Sequence, residues 1–172
     1  RLINRLLGQL LFVLPLLFSA GFLNGQTTWY SYQSGNWNNT DWRTWTTDPS
    51  GTTLINPSHA LPGATDPVVI LNGRIVTIPT GTTGRTVASV TIQEGAVLDI
   101  TNTTGHSFGT DLNGSGLLRL SAASFPGFAT GTFVQPGGGT VEYYGLTGGF
   151  TLSQFTYNNL ILNLAGSADE AF

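Results

Sequence analysis

Val68-Val69-Ile70-Leu71-Asn72-Gly73-Arg74-Ile75-Val76-Thr77-Ile78 is followed, 22 residues on, by Val90-Thr91-Ile92-Gln93-Glu94-Gly95-Ala96-Val97-Leu98-Asp99-Ile100. Glycine falls on glycine, apolar falls on apolar at most of the buried-looking positions, and both runs read I-x-x-G-x-x-[VL]-x-I. Fainter echoes follow at Leu118-Arg119-Leu120, Val141-Glu142-Tyr143 and Leu162-Asn163-Leu164, so a marker apolar residue recurs at 76, 98, 118, 141 and 162. A period near twenty with one or two short strands per unit is the mark of stacked β-coils, in which no unit buries its apolar face until a neighbour stacks on it. The predicted architecture is all-β, a parallel β-solenoid.

Coils stacked at the inter-strand spacing of about 4.8 Å share one core, so apolar positions must recur in register. Alternation then sends Val76, Ile78, Leu98, Ile100, Leu118, Leu120, Val141, Tyr143, Leu162 and Leu164 inward. Thr77, Asp99, Arg119, Glu142 and Asn163 face outward by the same rule. Gly73 and Gly95 mark corners that need a positive φ or close backbone approach. An antiparallel β-sandwich is the competing architecture, since short strands and glycine-rich turns also suit it.

Upstream the texture differs. Thr27 to Pro67 holds all four tryptophans, with Tyr30 and Tyr32, among Asn, Ser, Thr and Gly, and Asp48-Pro49-Ser50-Gly51 and Leu61-Pro62-Gly63 are turn signals. A solenoid needs its end covered, because an open coil exposes a strand edge and an apolar core. Residues 26–67 are therefore expected to form an aromatic-rich N-terminal cap, and 68–172 the coils. The second reading of Trp29, Tyr32, Trp37, Trp42 and Trp45 is a glycan-binding set, since exposed aromatic faces stack on sugar rings.

Ahead of both, Arg1 and Arg5 precede the apolar run Leu6 to Phe18, which leads into Ser19, Ala20, Gly21, Asn24 and Gly25. Charge, apolar stretch and small residues in that order describe a secretory signal peptide, a helix over residues 1–25 cleaved before Gln26, with Gly21 as the other candidate position. Gln9 and Pro15 interrupt a run already shorter than the roughly 20 residues a span requires, so no membrane span is expected once the leader is removed. The absence of Met and the small polar stretch Gly166 to Glu170 read as the two ends of a fragment.

Composition narrows the function. Charged residues are only 9% of the chain and there is no Lys, leaving four Arg against nine acids after the leader. An acidic surface without a basic run is not a nucleic-acid footprint. With no Cys there is no disulfide, thiolate metal site or cysteine nucleophile. His59 and His106 lie far apart without acidic neighbours at ligand spacing, and His106, in Thr104-Gly105-His106-Ser107, reads as a solvated turn residue. No cofactor is expected. Ser107, His59 and Asp66 make no triad, as no G-x-S-x-G elbow occurs. Asp66, Asp99, Asp111 and Glu142 are the acids that a glycosidase or a Ca²⁺-using lyase would draw on, and their order in the repeat puts them on no evident ridge, so solvated surface acids are expected. Gly114-Ser115-Gly116 and Gly137-Gly138-Gly139 read as turns, and Asn38, Asn102 and Asn113 begin N-x-[ST] sequons.

Several motifs carry a resemblance. Thr28-Trp29-Tyr30-Ser31, Ser34-Gly35-Asn36-Trp37-Asn38, Thr44-Trp45, Pro62, Asp66-Pro67-Val68-Val69-Ile70, Gly138-Gly139-Thr140-Val141-Glu142-Tyr143-Tyr144-Gly145 and Tyr157-Asn158-Asn159-Leu160 resemble the N-terminal region of large secreted, surface-exposed β-solenoid or adhesin-like proteins of Bacteroidetes-type bacteria. The Trp, Pro-Gly, Asp and V-x-I pattern is also similar, more weakly, to G8-type glycine-rich β domains. The resemblance implies a multidomain protein exported to the cell surface through a C-terminal sorting domain. Together these observations lead to the expectation of a non-catalytic structural or adhesive module, not an enzyme, outside the cytoplasm. Its partners would be downstream domains of the same chain and extracellular polysaccharide or surface glycan. A carbohydrate-binding module, or the front of a polysaccharide-active enzyme, is the alternative.

Overall fold

The structure is a computed structural model that describes residues 25–39, 42–147 and 150–165. Residues 1–24 of the leader and the polar stretch Gly166 to Glu170 lie outside these residues. The described chain is all-β, without a helix, and forms a parallel β-solenoid of about four turns. None of the described residues forms a helix long and apolar enough to cross a membrane.

The repeat supplies two strands per coil. In the first sheet β1 (Trp29–Ser31), β4 (Pro67–Ile70), β6 (Ser89–Ile92) and β8 (Asp111–Gly114) stack in parallel, with β3 (Trp45–Thr46) antiparallel on the outer edge of β1. The second sheet runs β2 (Gly35–Asn36), β5 (Ile75–Thr77), β7 (Val97–Asp99), β9 (Leu117–Leu120), β10 (Thr140–Tyr144) and β11 (Asn159–Asn163), parallel throughout. A third side is held by single bridges from Thr86 to Ser107 to Gly127. The sandwich alternative fails on this pairing, because β1–β3 is the sole antiparallel ladder among the described strands.

Register follows the repeat. Trp29, Val68, Val90 and Leu112 form one inward column, and Val76, Leu98, Leu118 and Val141 another. All eight are buried, as are Ile78, Ile100, Leu120 and Tyr143. At about 1.5–3 kcal/mol per fully buried large apolar side chain, these columns dominate the folding free energy. Gly73 and Gly95, both at φ 72°, make the matching corners, a conformation that costs a residue with a Cβ about 1–2 kcal/mol.

Two expectations need correction here. The step between coils varies with corner length: four residues (93–96) join β6 to β7, but only Ser115 and Gly116 join β8 to β9. In the last coil Val141 pairs with Leu160, and Tyr143 with Leu162, two residues earlier than the sequence spacing suggests. A slip of two preserves which side chains face inward, so Leu160 and Leu162 are the inward pair and Leu164 lies past the strand. Leu162 is only half-buried, because β11 is the last strand of its sheet.

The Trp-rich segment contributes strands to the stack itself. β1 and β2 extend both sheets by one rung, Trp29↔Val68 and Gly35↔Val76. Trp37 and Trp45 are buried against each other edge to face, with ring centroids 4.8 Å apart, and Trp45 Nε1 donates to Trp37 O at 2.9 Å.

Candidate functional site

The sequence reading nominated two sets of functional side chains, the acids and the aromatics. Asp99, Arg119 and Glu142 each follow a marker residue, so they stand in one column on adjacent rungs of the second sheet's outer face. Arg119 Nε donates to Glu142 Oε2 at 2.7 Å, and its Nη1 lies 3.5 Å from Asp99 Oδ2. Tyr144 Oη donates to Asp99 Oδ1 at 2.9 Å, its ring lies 4.4 Å beneath the guanidinium, and Asn163 Nδ2 donates to Glu142 Oε1. Burial and the bond to Asp99 push the Tyr144 hydroxyl pKa up to about 12. The expected absence of a ridge is thus overturned, as is the expected solvation of these acids: the Asp99 and Glu142 side chains are 13% and 12% exposed.

That ridge is closed on itself. Both carboxylates are held by the guanidinium between them, and a general acid or base must instead be within reach of a proton on the substrate. A shallow groove of about 360 Å³ runs beside the column, lined by Val97, Leu117, Thr140 and Ile161 with the Gly95 and Gly116 corners. The other two acids are also engaged structurally. Asp66 accepts from Trp29 Nε1 at 3.0 Å and from the backbone of Thr27 and Gly63, and Asp111 accepts from Thr130 Oγ1.

The five nominated aromatics are not brought together on one surface. Trp29, Trp37 and Trp45 are buried, which leaves no ring face for a sugar, while Tyr32 and Trp42 are half-exposed. Trp42 is the unusual one. It stacks on His59 with centroids 3.6 Å apart and planes 16° from parallel. Both residues hold positive φ, 50° and 53°; histidine is among the residue types enriched in that region, whereas a tryptophan rarely enters it, and such outliers cluster at constrained functional sites. Asn56 fixes the pair: its buried amide donates to Trp42 O and Ala60 O and accepts from Ala60 N. A recess of about 350 Å³ opens there between Trp42, Leu54, Ile55, Asn56, Pro57 and His59. Nothing in local sequence patterning announces this pairing, which depends on contact between residues 17 positions apart.

A second aromatic group was missed altogether. Phe125, Phe128, Phe155 and Tyr157 form a cluster near the C-terminal end, with neighbouring centroids 5.0 to 6.0 Å apart. Tyr157 Oη lies 3.3 Å from that of the buried Tyr143 and donates to Ser153 O.

His106 was expected in solvent and is instead buried. Its Nδ1 accepts from Arg85 N at 3.0 Å, so Nε2 carries the proton and donates to Thr103 Oγ1 at 2.8 Å, while that hydroxyl passes its own hydrogen to Ile100 O. Burial, reinforced by the Arg85 charge, lowers the His106 pKa and keeps the ring neutral. It is a core hydrogen-bonding post rather than a ligand. Among the described residues no three His, Cys, Asp or Glu side chains gather as a metal site. Compared with family models, with curated proteins and with solved structures, the chain matches none.

Proposed function

We propose that the chain is a non-catalytic structural or adhesive module of a secreted cell-surface protein, a rigid stack that spaces or displays its neighbours. The observation that carries this reading is the Asp99–Arg119–Glu142 column, whose charges are spent on joining three successive rungs. A column of that kind stiffens a stack along its axis and leaves its acids bonded to the protein. The outward-facing threonines and asparagines extend the same pattern. Thr110 and Thr130 each bond to the carbonyl one rung back, and Asn113 Oδ1 accepts from Thr132 N and Oγ1.

Carbohydrate binding is the second reading, favoured by one observation, the Trp42–His59 stack at positive φ beside its recess. Tryptophan fluorescence with acrylamide quenching, before and after a panel of soluble polysaccharides, separates the two. A structural module shows blue-shifted emission, poorly quenched apart from the Trp42 contribution, that no glycan changes. A glycan that protects the quenchable component, and ceases to do so in Trp42→Ala, overturns the first reading in favour of the second.

A further inference from the structure

On the third side of the coils a groove of about 390 Å³ lies between residues 80–84 and 102–104. Its two walls belong to successive rungs and meet backbone to backbone, so that a Cβ on Gly84 would fall 2.0 Å from Gly105 O. One side chain joins them. His106 Nδ1 accepts from Arg85 N at 3.0 Å, where the first wall ends, and Nε2 donates to Thr103 Oγ1 in the second. The His106 carbonyl accepts from Gly127 N at 2.9 Å, so three rungs meet at this turn. Pairing on this side is otherwise thin: isolated bridges link Thr86, Ser107 and Gly127, where the two sheets carry continuous ladders.

Only the neutral ring with its proton on Nε2 fits these partners. A second proton makes Nδ1 a donor that faces the N–H of Arg85, and two donors form no bond. The added charge also falls beside the Arg85 guanidinium, which repels it. Of the described residues against His106, Arg85 alone is charged; Thr103 in its own turn, Phe108 beside the ring and Gly127 on the next rung are not, and no described acid offsets an imidazolium there. We infer that His106 is a proton-operated latch: acid frees the first wall of the groove from the second and opens the third side of the coils, while both sheets stay paired. Opening there breaks a few single bonds, Arg85 N to His106, Ser107 N to Arg85 O and Val87 N to Ser107 O. Parting the sheets would break whole ladders and their apolar columns, so the local event is the less costly one. Val87 and Phe108, buried behind those bonds, become the floor of the widened groove. The inference goes beyond the module reading and does not depend on it.

Amide hydrogen exchange of the wild-type chain, followed by NMR from pH 7 to pH 5 and corrected for the pH dependence of intrinsic exchange, tests it. The third-side amides of Arg85, Val87, Ser107 and Gly127 should lose protection relative to those of Val97, Leu117 and Thr140, which bond between rungs of the second sheet. The divergence should approach about tenfold for each pH unit between the unfolded value of about 6.5 and the lowered folded one. Imidazole ¹⁵N shifts should show the Nε2–H tautomer at pH 7 and protonation over the same range as the divergence. His106→Gln keeps an acceptor and a donor without titrating, and should abolish the divergence. Equal losses in the two sets of amides would mean that acid acts only on the whole fold and would overturn the latch. A ring protonated on Nδ1 at pH 7, or a divergence that persists in His106→Gln, would overturn it as well. The wild-type exchange and ring shifts decide the matter even where the variant does not fold.

Discussion

The two ends of the described stack obey the same pairing rule and differ in what covers their outermost strands. At the N-terminal end an antiparallel strand, β3, covers β1, and Trp37 and Trp45 are both fully buried. At the C-terminal end β11 carries no further strand among the described residues, and Phe155, Leu160 and Ile161 are each more than a third exposed. The middle rungs need neither device, since each is covered by its neighbours. The difference teaches that stability in a one-dimensional stack is a property of position: the same apolar residue contributes fully inside and only partly on the last rung.

Alanine substitutions at the two ends should separate them most sharply. Trp37→Ala is expected to cost about 3–5 kcal/mol, since it empties a large fully enclosed volume. Denaturant unfolding followed by circular dichroism reads this directly, and a loss no larger than that at the opposite end would erase the asymmetry. In the middle, Arg119→Gln leaves Asp99 and Glu142 without their counter-ion. With the Arg119 side chain 32% exposed, screening reduces the buried-pair cost, and about 1–2 kcal/mol is expected in the same measurement.

His106 adds a pH axis to the comparison. Its folded pKa lies below its unfolded value, so acid favours the unfolded chain, which binds the proton more readily. Its stabilising contribution is intact above the unfolded value of about 6.5 and is lost progressively as pH falls toward the folded pKa, at about 1.4 kcal/mol for each unit between the two. Denaturation midpoints at pH 7 and pH 5 should therefore differ, and His106→Gln, though less stable at pH 7, should flatten that dependence. Gly73→Ala isolates backbone conformation, because nothing lies within 4 Å of the added Cβ while φ is +72°; a cost of about 1 kcal/mol is expected from thermal melts. The smallest effect belongs to Leu162→Ala on the half-buried last rung, below about 1 kcal/mol by the same melts, since surroundings this open can relax around the loss.

Much of this fold was legible because Val68–Ile78 and Val90–Ile100 belong to coils with equal corners, where a fixed offset superposes both strands at once. Legibility ended where corner lengths changed. The pairing of Val141 with Leu160 rather than Leu162 escaped because a period-two pattern looks the same after a slip of two. The charged column was implicit in the alternation that turned Asp99, Arg119 and Glu142 outward, and became visible once the rungs were paired in space. His106 misled because its Gly-His-Ser context has turn composition. The third side of the solenoid passes through Ser107 and draws that turn inward. The Trp42–His59 stack had no sequence signal, since tryptophan rarely takes positive φ and the two rings meet only through the fold.

The hydrogen bonds between rungs run along the stack, so a pull on its two ends loads them one rung at a time rather than shearing a whole sheet at once. Each rung that yields frees a coil of about 22 residues, which stretches to roughly 75 Å. A stack built this way lengthens by sudden increments whose size follows the length of each coil.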